Sequence, residues 1–94
     1  VLILALNCYQ HCLEHLSFDN ASYFEAYTEK IIGKGIKLYE RNIFHYLKGF
    51  SLYQKGQCKE GCKQMQEALR IFDLLGLPEQ VAYYQEHYEK FVKD

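Results

Sequence analysis

The sequence predicts an all-α fold: an antiparallel array of about five helices paired into hairpins, with a C-terminal helix as cap. Three observations predict it. Apolar residues recur at three- and four-residue spacing, the period of a one-sided helix. The single Pro and the glycines at 33, 35, 56 and 76 fall between these stripes, where helix ends belong. No segment shows the alternation of a strand, and helices joined by short connections pack as antiparallel neighbours.

The elements follow in order. Helix one is expected over about Leu2 to Leu16, on the stripe Leu6, Tyr9, Leu13 and Leu16. Phe18-Asp19-Asn20 breaks it, and Asp19 or Asn20 can cap helix two through its side-chain oxygen. Helix two spans about Ala21 to Ile32, with Tyr23 or Phe24, Tyr27, Ile31 and Ile32 as its inner stripe. Gly33-Lys34-Gly35 ends it, since Gly tolerates the left-handed conformation at a helix C-terminus. Helix three, about Ile36 to Lys55, is the longest and densest in rings: Tyr39, Phe44, Tyr46, Phe50 and Tyr53. Gly56 closes it. Helix four, about Cys58 to Leu75, carries Cys58, Cys62, Met65, Leu69 and Phe72 on one face, with Gly61 and Ala68 beside them. Gly76 stops it. Helix five starts at Pro78, which suits a first turn because its missing N–H has no partner there anyway. Glu79 favours that end and Lys90 and Lys93 the other through the helix dipole. Val81, Tyr84, Tyr88 and Phe91 form its seam.

Ninety-four residues make one small domain or part of a larger protein. Hydrophobic residues are 49% and charged residues 24%, enough to fill a core, which argues against disorder. Eleven basic and twelve acidic residues leave a net charge of −1. That balance provides no electrostatic footprint for nucleic acid or for an anionic membrane. The uncharged run Val1 to Leu13 is too short and polar to cross a bilayer, and it lacks the basic start and cleavage site of a signal peptide. Because the chain opens at Val1 inside an apolar helical run, the expectation is a C-terminal fragment of a longer protein.

Small residues set the hairpins. Gly49 falls where two helices must approach, Gly56 follows seven residues later at the turn, Gly61 five after that, and Ala68 seven further on. Asn42 to about Leu75 thus resembles one tetratricopeptide repeat, with His45 where that repeat has a Trp or another bulky residue. A shift of about 35 residues sets Ala26 opposite Gly61 and Gly33 opposite Ala68, making helices one and two a degenerate earlier repeat. Helix five would close the stack.

The stretch Tyr46-Leu47-Lys48-Gly49-Phe50-Ser51-Leu52-Tyr53-Gln54-Lys55-Gly56, then Glu60-Gly61, then Glu67-Ala68-Leu69-Arg70-Ile71-Phe72-Asp73-Leu74-Leu75-Gly76-Leu77, is similar to the C-terminal region of the Rgg/MutR family of bacterial transcription regulators. The closing helix from Tyr83-Tyr84 to Phe91 also fits, so the resemblance covers nearly the whole chain. It implies a cytoplasmic regulator, with no enzyme activity and no cofactor, whose helix-turn-helix domain lies outside these residues and makes the DNA contacts. The repeat domain would bind a short, often hydrophobic signalling peptide on its concave face, as in quorum sensing. It would form a homodimer through its C-terminal part.

In such a repeat the first helix of each pair lines the groove. Counting from Gly49, the groove positions are Ile43, Tyr46, Phe50, Tyr53 and Gln54, which share one helical face. Rings with polar tips can grip apolar side chains and hydrogen-bond a peptide backbone. The alternative is that they pack against helices one and five. On helix one, Asn7 and His11 can meet the same peptide, or simply face solvent beside Gln10 and Glu14. Val81, Tyr84, Tyr88 and Phe91 either cap helices three and four or meet a two-fold mate.

Cys8, His11, Cys12 and His15 sit on adjacent turns, and Cys58 and Cys62 repeat the spacing, a pattern that can chelate Zn²⁺. They also lie within apolar bands, where free Cys acts as a small hydrophobe. Core packing is the reading adopted, and no metal site is assigned. Cys12 with His15 lacks the orienting third group and oxyanion donors that nucleophilic catalysis needs. Gly33-Lys34-Gly35 is too short for a phosphate loop and follows a helix. The function expected is ligand sensing, in which peptide shifts the population of repeat or dimer arrangements. The alternative is a constitutive protein–protein scaffold with no switching ligand.

Overall fold

The apolar stripes become helices in the computed structural model, which describes residues 2–32 and 38–92. They are α1 (Leu2–Glu14), α2 (Phe18–Ile32), α3 (Leu38–Gln54), α4 (Cys58–Leu74) and α5 (Pro78–Phe91). No strand forms among the described residues. The expected stop at Gly33-Lys34-Gly35, the start of helix three at Ile36 and the last-turn Lys93 lie outside them.

Three helix ends are built alike. At Gly56 the backbone turns left-handed (φ 98°), the N–H of Gly56 donates to Tyr53 O, and that of Gln57 donates to Leu52 O. Gly76 repeats this (φ 71°) with donors to Asp73 O and Phe72 O. These are Schellman ends, which use the orphan carbonyls of the last turn. The end of α1 has the same bonds, Leu16 N to Leu13 O and Ser17 N to Cys12 O. There the left-handed residue is Leu16, at φ 59°. Helix one therefore stops two residues before the end its stripe predicts. Helix two starts three residues early, at Phe18, and Asp19 falls inside its first turn rather than capping it.

Helices α2 and α4 begin at Phe18 and Cys58, forty residues apart. The hairpin repeat is thus forty residues, not about 35. In this register Leu16 matches Gly56, Ala21 matches Gly61 and Thr28 matches Ala68. Ala21, Gly61, Ala68 and Thr28 are all buried, whereas Ala26 is exposed. Small residues do set the crossings, but in α2 they are Ala21 and Thr28. The α2 stripe shifts accordingly: Tyr23 and Tyr27 point outward and stack on each other at a 4° interplanar angle.

Helix α3 is the centre. It lies against α4 so closely that a Cβ on Gly61 would come 2.5 Å from Gly49 O and Tyr53 N. Asn42 donates to Ala68 O from α3 to α4 at 2.8 Å. The core joins Leu6, Tyr9 and Leu13 of α1 to Leu47 and Phe50 of α3 and Met65 and Phe72 of α4. Cys58 is the exception to its predicted stripe. It is exposed at the first position of α4, where its thiol donates to Tyr53 O at the end of α3. The described residues span 32 × 31 × 18 Å. The short dimension is about two helix diameters at roughly 10 Å each, which makes two layers.

Candidate functional site

Helices α1 and α5 flank α3 on one side of the array and meet over it through side chains. The rings of α3 require cover, because burying an aromatic side chain contributes about 1.5–3 kcal/mol. Helix α5 supplies it. Tyr84 lies 4.8 Å from the Tyr46 ring and stacks on Phe72 at 5.4 Å, and Phe91 sets its ring 5.4 Å from Phe50. Val81 and Tyr88 pack on the same core, with Tyr88 Oη accepting from Gln66 Nε2. The helix-five seam is therefore occupied within the chain, as a cap.

This covering moves three of the expected groove residues inside. Tyr46 and Phe50 have no exposed surface and Ile43 has 5%. Tyr46 and Phe50 lie beneath α5 with no open face, while Ile43 reaches the floor of a cleft between α1 and α5. Tyr53 is half-buried against the core. Gln54 is a scaffold tie, its Nε2 donating to Leu13 O at 3.0 Å at the end of α1. Asn7 and His11 are both exposed. Asn7 borders a cleft, while His11 pairs its ring with His15 at 4.3 Å.

A buried histidine joins the three helices. His87 of α5, 7% exposed, sets Nε2 2.9 Å from Glu14 Oε2 of α1 and Nδ1 2.9 Å from Tyr46 Oη of α3. A carboxylate only accepts, so the proton of the neutral ring sits on Nε2. Nδ1 then accepts from the Tyr46 hydroxyl. That hydroxyl has a second acceptor, Tyr84 O, at 3.3 Å. If the ring takes a second proton, Nδ1 donates to Tyr46 and the tyrosine proton turns to Tyr84 O. Burial holds the His87 pKa below its ordinary value, against the opposing pull of Glu14. Burial likewise pushes the Tyr46 and Tyr84 hydroxyls well up, so both stay neutral.

Above this floor Gln10 Nε2 donates to both Glu14 Oε2, at 3.0 Å, and Tyr83 Oη, at 3.1 Å, a second tie from α1 to α5. Tyr83 separates two clefts. One, of about 170 Å³, lies between Ile3, Asn7, Tyr39, Ile43 and Gln80. The other, of about 270 Å³, is lined by Glu14, Glu86, His87, Lys90 and Phe91. His87 lies outside the seam expected for helix five, and its neighbours Gln10 and Glu14 were expected at solvent. The signal available was the run Tyr84, His87, Tyr88, Phe91 at three- and four-residue spacing, which makes His87 part of the seam.

All four cysteines are free. Burial, and then neighbouring Cys8, raises the Cys12 thiol pKa, away from the thiolate that metal or nucleophile chemistry requires. Among the described residues no three His, Cys, Asp or Glu side chains gather as a metal site would.

Stacked hairpins crossing at small residues, with a capping helix over aromatic floor residues, define a helical-repeat domain of the tetratricopeptide-like class. Residues 1–86 match the model of the HTH-type transcriptional regulator Rgg, C-terminal domain, and the chain belongs to that family. It is a family of regulators, not enzymes. Two solved structures of the Streptococcus dysgalactiae SHP pheromone receptor Rgg2 share the fold. One, of a cysteine-to-serine variant of the receptor, is 31% identical, with a TM-score of 0.91 over 97% of this chain. The other is 32% identical, with a TM-score of 0.91 over 98%. This chain spans about a third of the length of either receptor (33% and 34%). No curated protein matches the chain. No helix among the described residues is long and apolar enough to cross a membrane.

Proposed function

We propose that this domain is the ligand-sensing and dimerisation part of a cytoplasmic Rgg regulator, and that it binds a short signalling peptide in the groove between α1 and α5. The observation that carries this is the pair of clefts over the α3 floor, held in place by side-chain ties between α1 and α5. A family member of this fold is a pheromone receptor, which supports a peptide as the occupant. Asn7, Ile43 and Tyr83 border the peptide, while Tyr46 and Phe50 act beneath it by fixing α5. Peptide that wedges between α1 and α5 favours one arrangement of those helices over another, a population shift. The dimer contact belongs to the outward face of α5, since its inward seam is filled. DNA contact belongs to a helix-turn-helix domain elsewhere in the regulator, because a net charge of −1 suits this domain poorly to phosphate.

The test is calorimetry on the full-length regulator with short apolar synthetic peptides, alongside sedimentation to read the oligomer. Binding that weakens in Tyr83→Ala, with a dimer that persists, is the expected result. No heat with any peptide, together with intact regulation, would leave the constitutive scaffold as the better reading.

A further inference from the structure

We propose that the cleft between Ile3, Asn7 and Gln80 is a single-residue anchoring subsite, which takes one bulky uncharged side chain of the peptide and hydrogen-bonds the amides beside it. The inference rests on the groove reading above and assigns ligand chemistry within it.

The size fits one side chain. A cavity of about 150 Å³ holds a benzene molecule, and this cleft measures about 170 Å³. Its walls exclude charge. Leu6 and Ile43 form the floor, Ile3 one edge and Tyr83 the opposite wall, and none of the described residues lining it is ionised. A charged side chain placed there would give up water with no counter-charge in return. The neighbouring cleft holds Glu14, Glu86 and Lys90, so charge is tolerated one step along the groove, past Tyr83, and not here.

The polar edge fits peptide amides. Asn7 is exposed and makes no hydrogen bond to a described residue. Gln80 donates only a long 3.5 Å bond to Tyr39 Oη, which leaves its carbonyl oxygen unused. Each carboxamide presents a donor and an acceptor, the complement of a peptide C=O and N–H. Asn7 stands on α1 and Gln80 on α5, so a bound residue would be held from both sides.

The experiment uses the full-length regulator and four probes at millimolar concentration: the N-acetyl amides of leucine, phenylalanine, aspartate and lysine. Saturation-transfer NMR reads the binding of each. The leucine and phenylalanine probes should bind at least about tenfold better than the charged pair. Ile3→Trp should fill the mouth and abolish their signal, and Ile3→Lys should turn the preference towards the aspartate probe. Ile3 is 43% exposed, so both variants should fold, which circular dichroism checks. Equal signals from all four probes, no signal from any, or an apolar signal that survives Ile3→Trp would overturn the assignment. Short apolar peptides that still bind Ile3→Trp at full affinity but not Tyr83→Ala would remove this subsite and keep the groove. Peptides that bind none of these proteins would remove both.

Discussion

Leu16 carries the clearest local strain in the described backbone. An L-residue in the left-handed region costs about 1–2 kcal/mol from the contact of Cβ with the carbonyl oxygen, and the side chain recovers little, being 58% exposed. Leu16→Gly should raise the stability by about 1 kcal/mol, after the greater freedom of Gly in the unfolded chain takes its share. Urea denaturation reads this as a higher midpoint at unchanged slope. Thr28 carries a cost of another kind. Its hydroxyl is fully buried with no hydrogen-bond partner among the described residues, and such an orphan costs about 1–3 kcal/mol. Thr28→Val, which keeps the branched shape, should stabilise by about 1 kcal/mol in the same assay. Neither residue was legible in the sequence. A left-handed turn is recognised by its Gly, and here the position holds Leu. A buried Thr is recognised only once the crossing it occupies is known.

At the scale of elements, the crossing of α3 and α4 was readable because Gly49, Gly61 and Ala68 mark it, and all three are buried. The two glycines differ in tolerance. A Cβ on Gly61 meets backbone of α3 at 2.5 Å, while one on Gly49 meets Gly61 O, Met65 N and the Gln64 side chain at 3.0 Å. Gly61→Ala should therefore destabilise by about 3 kcal/mol or more and Gly49→Ala by about 1–2 kcal/mol, on the scale of overpacked cores. Thermal melts of the two variants give the order. The ends of α4 and α5 were legible too, since Gly56, Gly76 and Pro78 punctuate them. Helix α2 was legible in part. Of its expected stripe, Phe24 packs on the core and Ile32 is buried, while Tyr23 and Tyr27 turn outward. Hydrophobicity finds candidate faces, and the neighbouring helices decide which of them goes in.

The site belongs to the whole molecule, and this limited what the sequence could tell. The ringed face of α3 was readable, yet its burial was left open, because α5 returns over it from far along the chain, His87 meeting Tyr46 across 41 residues. The exposure of Asn7 followed from its helix position alone, whereas His87 became meaningful only with Glu14 and Tyr46 around it. That buried ring makes stability depend on pH. Its folded pKa is lowered, so as pH falls below the ordinary histidine value of about 6.5 the unfolded chain takes up the proton first. The contribution is complete above that value and is lost on acidification through the window down to the folded pKa. The urea midpoint should fall as the pH is lowered from neutral through the ordinary histidine value, and His87→Gln should flatten the slope. An equal slope in both proteins would assign the effect to other groups.

The ties Gln10–Tyr83 and Glu14–His87 bridge residues 73 apart in sequence. An ordinary solenoid is a spring, each coil touching only the next, and its ends fray independently. Here α1 and α5 are clasped across the α3–α4 hairpin that lies between them. Amide exchange at α1 and α5 should therefore rise and fall together, and cutting the clasp with Gln10→Ala and Glu14→Ala should let one of the two helices open without the other.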